Sequence, residues 1–463
     1  MPPVKVQTLL PGHRGLRVKK WILLLAAAAA GLICACSSGG AANSNAIVFA
    51  VGGAPSEVSF WEELLRDFER QSGIRVELLR QPADTDQRRQ GLVIALNARQ
   101  PDPDVFLMDV AWLGLFVASD WLEPLDSKVD AAPFFQRVIR LVDRQQGHLM
   151  ALPVYVDCGI LYYRRDLLER FHLPGLPDTW PKLLSYALTV QRAMRQTNPR
   201  FYGFVWQGAQ YEGLVCNFME FSGSGGGFLQ QGGQLQLDVA ANRTALTFMR
   251  DLIWRYRISP PSTYTEMKEE QVRLYFQAGN ALFERNWPYA WSLHQSPASP
   301  VKNKIGIAPL PAPTDGGRVS TLGGWHIGLS RFSDRKLQAI KFIRFVTSYD
   351  TQKKIMSQMG WNPGRADLYE DPDILKRAPH YRQLKNIFQY AQPRPLLPYY
   401  TQVSAIAQRY LNSVLSDRTS AGDALSAAQH EIGALQKRYD VNDAYMRGFQ
   451  VSGVSECRAE DKK

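Results

Sequence analysis

"IVFAVGGAPSEVSFWEELLRDFERQSGIRVELLRQ", residues 47 to 81, contains the pattern that decides the fold class of this chain. Its first five residues form a continuous apolar run, as expected of a strand that is buried on both faces. Apolar residues then recur at helical spacing up to Gly73, a residue suited to the end of a helix. Residues 74–81 have the composition of a second strand. The stretch therefore predicts a strand, a helix and a strand in succession.

The same alternation continues along the chain. A helix is predicted over 85–98 and a strand over 104–109, and this order is typical of a parallel sheet covered by helices. From about residue 150 the pattern repeats, with a strand over 158–163 and a helix after it. Further helices are predicted near 181–195, 242–257, 268–278, 334–359 and 401–437, and further strands over 280–284, 304–310 and 325–330. Because no repeat of fixed period is visible, we expect two α/β lobes rather than a solenoid or an eightfold barrel.

The first 35 residues have the layout of an export signal. They contain five basic residues and no acidic residue, and a 13-residue apolar run spans Trp21 to Ile33. Such a run is too short to cross a bilayer as a mature helix. The sequence "ICAC" that follows resembles the lipobox of bacterial lipoproteins, with Cys36 as the lipidated residue. The alternative is an ordinary secreted protein that is cut nearby. Residues 36–46 predict a lipidated cysteine and a flexible tether.

Charge and cysteine content narrow the function classes. The net charge is +11, and removal of the five basic residues of the signal leaves +6 on the remaining 428 residues. No long basic block is present, so we predict no nucleic-acid partner. Cys158 and Cys216 could form one disulfide or stay as two buried thiols, and no cysteine or histidine spacing points to zinc.

No catalytic motif is present in the sequence. We find no nucleophile elbow, phosphate loop, zinc-protease motif or dinucleotide fingerprint. A glycine-rich stretch at 223–227 lacks the lysine that would follow in a phosphate loop, so we interpret it as a turn. Asp109 and Asp157 are candidates for the paired carboxylates of a glycoside hydrolase. Carboxylates at strand ends serve binding at least as often.

Polar and aromatic residues that we place at turns form the candidate site. They are Glu57, Arg88, Arg89, Asp109, Tyr155, Asp157, Trp287, Trp325 and Arg394. Each has a simpler interpretation: the two arginines of 88–89 could be solvated helix charges, and Asp157 could hold a turn. Trp112 and Trp291 are expected in the core rather than in the site.

Together these residue types suit a sugar. A sugar ring has apolar C–H faces that lie on tryptophan or tyrosine, and its hydroxyls both donate and accept hydrogen bonds. Carboxylates accept from those hydroxyls, while arginine and backbone N–H groups donate. The tryptophans of "ERNWPYAW" (284–291) and "LGGWHIG" (322–328) are therefore interpreted as platforms for sugar rings.

Several long motifs carry a family resemblance. The segments "VGGAPSEVSFWEELLRDFERQSG", "DPDVFLMDVAWLG", "LPVYVDCGILYYRRDLLE", "FERNWPYAW", "TLGGWHIG" and "GWNPGR" resemble the trehalose/maltose-binding proteins of bacterial and archaeal ABC sugar importers. These proteins belong to the large family of extracellular solute-binding proteins. The resemblance extends from about Ile47 to about residue 440, which is nearly the whole mature chain.

The resemblance implies a two-lobed α/β periplasmic-binding-protein fold with the ligand in a cleft between the lobes. It implies hinge crossings near 155, 322 and 361. The N-terminal lobe would comprise 47–155 and 322–360, and the C-terminal lobe 156–321 and 361–440, followed by a polar tail over 441–463. The implied sugar-binding residues are Glu57, Arg89, Asp109, Tyr155, Asp157, Trp287, Gly324, Trp325 and Arg394.

The implied function is binding without turnover. A monomer, held on the membrane by lipid at Cys36, would close on a disaccharide such as trehalose, maltose or sucrose and deliver it to an ABC permease, with no cofactor or metal. A secreted envelope glycoside hydrolase is the alternative, and release of glucose from trehalose or maltose would favour it. A receptor for a peptide or metal is a third reading, which the sparse histidines disfavour.

Overall fold

The computed structural model of the protein describes residues 46–53, 55–82, 84–231 and 234–455. The predicted export signal, the predicted lipidation site Cys36, most of the predicted tether and Cys457 lie outside these residues. A compact unit begins at Ile47, where the sequence predicts the start of the folded part. None of the helices in the described ranges is long and apolar enough to cross a membrane.

Strands and helices alternate through most of the chain. The strands are β1 Ile47–Gly52, β2 Val76–Gln81, β3 Val105–Asp109, β4 Arg144–Gln145, β5 His148–Leu149, β6 Leu152–Cys158, β7 Ile160–Arg164, β8 Tyr202–Val205, β9 Leu229–Gln231, β10 Gln234–Gln236, β11 Ala281–Asn286, β12 Ile305–Ala308, β13 Ser320–Leu329 and β14 Ala391–Gln392. The helices are α1 Pro55–Ser72, α2 Thr85–Asn97, α3 Leu113–Ala118, α4 Gln136–Val138, α5 Arg165–Arg170, α6 Trp180–Met194, α7 Glu212–Ser222, α8 Ala240–Trp254, α9 Ser262–Thr265, α10 Glu269–Gln277, α11 Ala290–His294, α12 Lys336–Val346, α13 Tyr349–Met359, α14 Pro372–Arg377, α15 His380–Ile387, α16 Tyr400–Leu415 and α17 Ala421–Ser455.

The first large sheet has the strand order β14-β13-β3-β1-β2, and β6 pairs with β13 on the side opposite to β3. Strand β1 is parallel to both β2 and β3, as the sequence predicts, and β13 is antiparallel to β3. Aromatic side chains fix α1 and α12 on this sheet, because the Phe49 ring makes edge contacts at 5.2 Å with Trp61 and at 5.0 Å with Phe342. These three rings are buried and form part of the core of this layer.

The second large sheet has the strand order β12-β7-β11-β8. Strand β7 is antiparallel to both of its neighbours, and β11 is parallel to β8. A separate core covers it, in which Trp180 stacks on Phe221 with 4.0 Å between the ring centroids. Helices α16 and α17 contribute to this same core, so the C-terminal helical region packs with the second sheet.

The chain passes from the first sheet to the second at Gly159, between β6 and β7. A Cβ atom at this position would clash with Glu220 Oε1, so only glycine allows so close an approach. The predicted strand over 158–163 is therefore interrupted at Gly159. Strand pairing in the first sheet extends to Cys158, three residues past residue 155, where the sequence analysis ends the first segment of the N-terminal lobe. The chain returns to the first sheet between β12 and β13, and the segment after Gly360 then lies alongside β6.

Several sequence predictions differ from the structure. Tyr155 and Asp157 lie within strand β6 rather than at turns, and the strand predicted over 325–330 begins earlier, at Ser320, so Trp325 lies inside β13 rather than at its start. The buried helix α7 and the short strand β8 were not predicted. Residues 213–222 of α7 are all buried, so this helix lacks the solvated polar face that marks a surface helix. The predicted turn at 223–227 begins with a short 3₁₀ segment, Gly223–Gly225. Helix α17 continues to Ser455, so the backbone over much of the predicted polar tail is helical.

Cys158 and Cys216 are both buried free thiols. Of the two states that the sequence leaves open, the structure therefore has the unpaired one. Burial raises the pKa of Cys158 well above its usual value, which makes this thiol unreactive.

Candidate ligand-binding site

The candidate site lies where β13 runs between β3 and β6. Trp325 pairs with Asp109 of β3 on one side and with Tyr155 of β6 on the other. Gly324 has φ +127°, and a Cβ atom there would clash with the Tyr155 carbonyl oxygen. A glycine is needed for this close approach. The sheet thus brings four of the predicted residues together that are far apart in the sequence.

Two aromatic side chains of the candidate site, Tyr155 and Trp325, are held in place by neighbouring rings. The Trp325 ring makes an edge contact with the buried Trp112 at 5.3 Å, so Trp112 is a core residue as expected. The Tyr155 ring lies against the Trp361 ring with 4.7 Å between centroids. Each of these two site rings has a buried aromatic neighbour that fixes its orientation. Neither Tyr155 nor Trp325 is fully buried, so both rings keep surface for a ligand.

Trp287 follows β11 directly, and its ring is the third one beside β13. Its backbone N–H donates to Asn286 Oδ1 at 2.8 Å, and the Arg285 guanidinium lies 4.2 Å from the ring centroid. A Cβ atom on Gly323 would lie 3.1 Å from the Trp287 ring and 3.6 Å from Asp157 Cβ. The Trp287 ring therefore crosses bare backbone of β13 next to Asp157.

Arg394 forms ion pairs with Asp109 of β3 and with Glu212 of helix α7, and so links the two elements. Arg394 donates from Nη2 to Asp109 Oδ1 and from Nη1 to Glu212 Oε1, both at 3.0 Å. Tyr400 also donates to Glu212, at 2.6 Å. Burial opposes the charge of Arg394, but Asp109 and Glu212 more than offset this and raise its pKa well above the usual value. Two predicted ligand residues, Asp109 and Arg394, thus contact one another.

Asp157 is an acceptor in a weakly solvated environment. Its Oδ1 accepts a hydrogen bond from Asn362 Nδ2 at 2.9 Å. Burial raises the pKa of Asp157 to about 6, with the nearby Asp109 charge adding to the rise and the Asn362 hydrogen bond opposing it. Burial likewise raises the pKa of the Tyr155 hydroxyl well above its usual range, helped by the carboxylates of Glu57 and Asp157.

Glu57 lies in the first turn of α1, where its carboxylate folds back over Gly53. A Cβ atom on Gly53 would clash with Glu57 Oε2. The carboxylate also interacts electrostatically with the Tyr155 hydroxyl and with Arg88. Helix N-termini stabilise negative charge, so a carboxylate is favoured at this position.

The structure brings Arg88 rather than Arg89 against Trp325. The Arg88 guanidinium lies 4.7 Å from the Trp325 ring centroid, and its Nε donates to the Pro82 carbonyl at 2.8 Å. Arg88 is buried, so its interpretation as a solvated helix charge is wrong, and burial lowers its pKa. The Arg89 side chain is 19% exposed and pairs with Asp86 at 3.6 Å. Its Nε is buried and has no hydrogen-bond partner within the described ranges, so its predicted role stays a prediction.

Several site residues were missed by the sequence interpretation. They are Glu212, Arg285, Trp361 and Asn362. The motifs "GWNPGR" and "FERNWPYAW" contain three of them, so the signal was present but gave no role to those positions. Glu212 lies in "FVWQGAQYEGLVCNF" (204–218), a further segment that carries the resemblance, but only its contact with Arg394 connects it to the site. In the part of the chain that the structure describes, no group of three or more histidine, cysteine or acidic side chains could hold a metal ion.

Replacing Asp157 with asparagine is expected to stabilise the unliganded protein at pH 8 and to have little effect at pH 4. A carboxyl whose folded pKa is raised binds its proton more tightly in the folded state, so its contribution to stability decreases as pH rises from about 4 through about 6. The melting temperatures of the wild type and Asp157→Asn at the two pH values measure this. A lower melting temperature of the variant at pH 8 would contradict the assignment.

Comparison with known proteins identifies the family. The model of the bacterial extracellular solute-binding protein family matches residues 54–353. A probable ABC transporter-binding protein of Deinococcus radiodurans is 34% identical over 80% of this chain and 88% of its own length. The structure of maltose-bound T. maritima MalE3 is 38% identical with a TM-score of 0.77, and the match covers 84% of this chain and 99% of that one.

A second solved structure, an ABC transporter solute-binding protein of Thermotoga Lettingae bound with alpha-D-tagatose, is 25% identical with a TM-score of 0.73 over 84% of this chain and 99% of that one. The predicted two-lobed α/β solute-binding fold is thereby confirmed. Members of the family act outside the cytoplasm and bind substrates for transport rather than convert them, which agrees with the prediction that the protein is not an enzyme. The chain belongs to the bacterial extracellular solute-binding protein family, as the substrate-binding component of an ABC transporter.

Proposed function

We propose that this protein binds a disaccharide of the trehalose or maltose type in the cleft between its lobes and delivers it to the permease of an ABC sugar importer. The observation that carries the proposal is the placement of three partly exposed rings, those of Tyr155, Trp287 and Trp325, around the glycine backbone of β13 with acceptor groups between them.

The spacing of rings and carboxylates suits a chain of sugar rings. Trp325 pairs directly with Asp109, and Trp287 lies beside Asp157. Each ring can accept the apolar face of one sugar, while the neighbouring carboxylate accepts from its hydroxyls. Hydrogen bonds of this charge-assisted kind contribute about 1.5–3 kcal/mol each. A site with one such pair on β13 and β3 and a second pair beside Gly323 fits two linked sugar rings.

Similarity to MalE3 supports the ligand class. That protein was solved with maltose bound, and its identity of 38% extends over most of this chain. We extend sugar binding to this chain because its own site has the aromatic and acidic groups that such a ligand requires. Arg89, Gly324 and Arg394 are included in the proposed sugar-binding set with the three rings and Glu57, Asp109 and Asp157.

In this proposal, closure of the hinge between the lobes tells the permease that the protein carries a sugar. The lobes would be 47–155 with 322–360, and 156–321 with 361–440. A sugar that contacts both lobes makes all its contacts only in the closed form, so it shifts the hinge equilibrium by its differential affinity. The closed form, held near the membrane by lipid on Cys36 and the short tether, would then dock on the permease as a monomer.

Isothermal titration of residues 37–463 tests the proposal. The panel comprises trehalose, maltose, sucrose, maltotriose and glucose, with mannitol as a linear polyol for comparison. We expect tight binding of one or two disaccharides and weak or no binding of glucose, which can occupy one ring position only. Binding of mannitol but of no disaccharide, or of no sugar at all, would contradict the proposed ligand class.

A further inference from the structure

The segment that follows α13 is fixed along β6 by its backbone. Gly360 ends α13 with φ +68°, and the carbonyl of Asn362 then accepts a hydrogen bond from the Val156 N–H at 2.8 Å. Pro363 forms a bridge with Tyr155. Strand β6 thus has β13 on one side and this segment on the other, so Asp157 lies between the two.

The orientation of the Asn362 amide is determined by Asp157. A carboxylate only accepts hydrogen bonds, so the nitrogen Nδ2 has to face it, and the distance to Asp157 Oδ1 is 2.9 Å. The oxygen Oδ1 then faces away, and it is buried without a hydrogen-bond partner in the ranges that the structure covers. Asn362 is 0% exposed. A buried amide with an unsatisfied oxygen costs stability, which calls for an explanation beyond packing.

Asn242 shows what a structural asparagine looks like in the same protein. It is also 0% exposed. Its Oδ1 accepts from the Gly227 N–H at 2.6 Å, and its Nδ2 donates to the carbonyls of Gly227 at 2.8 Å and Leu237 at 2.7 Å. Both ends of this amide are satisfied by backbone groups. By contrast, Nδ2 of Asn362 donates a hydrogen bond to Asp157, while its Oδ1 has no hydrogen-bond partner within the described residues.

We propose that Asn362 is a positioning residue that fixes the Asp157 carboxylate beside Trp287 and keeps it as the acceptor for a ligand hydroxyl. This inference rests on the proposed function, in which Asp157 contacts the sugar. The hydrogen bond occupies Oδ1 and leaves Oδ2 for the ligand. Asn362 itself is buried, so it acts on the ligand through the carboxylate that it holds.

The titratable groups that interact with Asp157 explain why its carboxylate needs the Asn362 donor. The titratable groups that interact with it are Asp109 of β3, Tyr155 and Cys158 of β6, Tyr162 of β7, and Tyr369 and Tyr381 of the C-terminal region. All of these are neutral or acidic, so none of them stabilises a negative charge on Asp157 by ion pairing. The Asn362 amide opposes the rise in pKa that burial causes.

Two measurements on Asn362→Leu test the proposal, with Asn362→Ala as a second variant if the first does not fold. The first is the carboxyl titration of Asp157 by NMR in sugar-free protein labelled with ¹³C at aspartate Cγ, with the resonance assigned through Asp157→Asn. The second is the Kd of the sugar identified by calorimetry, measured from pH 4.5 to pH 8. Asn242→Ala is the control for loss of an equally buried amide.

We expect the Asp157 titration to move upward by about half a pH unit or more in Asn362→Leu, because the charged form loses its donor. We also expect Kd at pH 7.5 to weaken by about tenfold or more. Sugar binding by the wild type should weaken as pH falls through about 6, and the midpoint of that loss should move upward with the carboxyl titration in the variant. Asn242→Ala should lower the melting temperature without moving either midpoint.

A loss of affinity with an unmoved Asp157 titration would overturn the proposal, since Asn362 would then act through packing alone. Unchanged affinity and titration would overturn it as well. If the wild type binds none of the sugars, the proposed function fails, and the NMR titration decides the role of Asn362 separately. An upward shift there would still support Asn362 as the group that holds Asp157, and an unmoved titration would exclude it.

Discussion

Replacing Glu220 with leucine is expected to destabilise the folded protein by about 3–5 kcal/mol, because the Arg285 guanidinium then stays buried without its counter-ion. Arg285 and Glu220 are 0% and 1% exposed, and they are joined by two hydrogen bonds of 2.7 and 2.5 Å. Burial alone would lower the pKa of Arg285, but Glu220 more than offsets this and raises it. Urea unfolding of the wild type and the variant measures the difference.

The position of this ion pair makes the loss larger than that of a single contact. Glu220 also accepts from the Thr321 N–H at 3.0 Å, and both charged groups lie against Gly159, where the chain passes between the sheets. Glu220→Leu therefore removes hydrogen bonds from α7, from β11 and from the start of β13. We expect the contacts between the second sheet and the chain around Gly159 to be lost before the two hydrophobic cores unfold.

Two further variants control for this result. The double variant Glu220→Leu/Arg285→Met removes both charges, so it should recover much of the stability that the single variant loses. Asp238→Ala breaks the pair with Arg243, which has similar geometry but a half-exposed arginine, and it should cost far less stability because water screens that pair. A loss below about 1 kcal/mol for Glu220→Leu, well under the range expected for a broken buried pair, would show that Arg285 finds other partners or water.

Trp287→Ala is expected to weaken sugar binding at least tenfold, which is about 1.4 kcal/mol, with little loss of fold. The ring is partly exposed beside Asp157, and the Arg285 guanidinium supports it at 4.2 Å from the ring centroid. Truncation removes the apolar surface on which a sugar ring would lie, while Asn286 and the backbone of β11 remain in place. Isothermal titration with the preferred disaccharide measures the change, and the melting temperature checks the fold.

Trp254→Ala is a suitable control because Trp254 is 36% exposed and lies on α8, away from the site. It should leave the Kd unchanged. Trp287→Phe keeps an aromatic surface and should lose less affinity than Trp287→Ala. Equal affinity of the wild type and Trp287→Ala would remove this residue from the proposed sugar site, which would then have only the rings of Tyr155 and Trp325.

Local patterns predicted most of the framework. The continuous apolar run of β1, the helical spacing in α1 and the terminal Gly73 predicted these elements to within a residue or two. Helix α7 was missed because its residues 213–222 are all buried, so it lacks the solvated polar face that marks a surface helix. The interruption at Gly159 was also missed, since "CGILYY" (158–163) has the composition of one continuous strand.

The sequence by itself determined the α/β class, the order of the main elements and, through the resemblance, the family. Tertiary structure decided which polar groups meet. In "ERNWPYAW", Glu284, Arg285 and Asn286 are fully buried, and Arg285 finds its counter-ion on α7, 65 residues away in the sequence. Packing of helix α2 placed Arg88 on Trp325, and pairing of the segment after Gly360 with β6 placed Asn362 on Asp157. Periodicity reports which face of an element is apolar, but burial of a charge is stable only when a specific partner from another element is at hydrogen-bond distance.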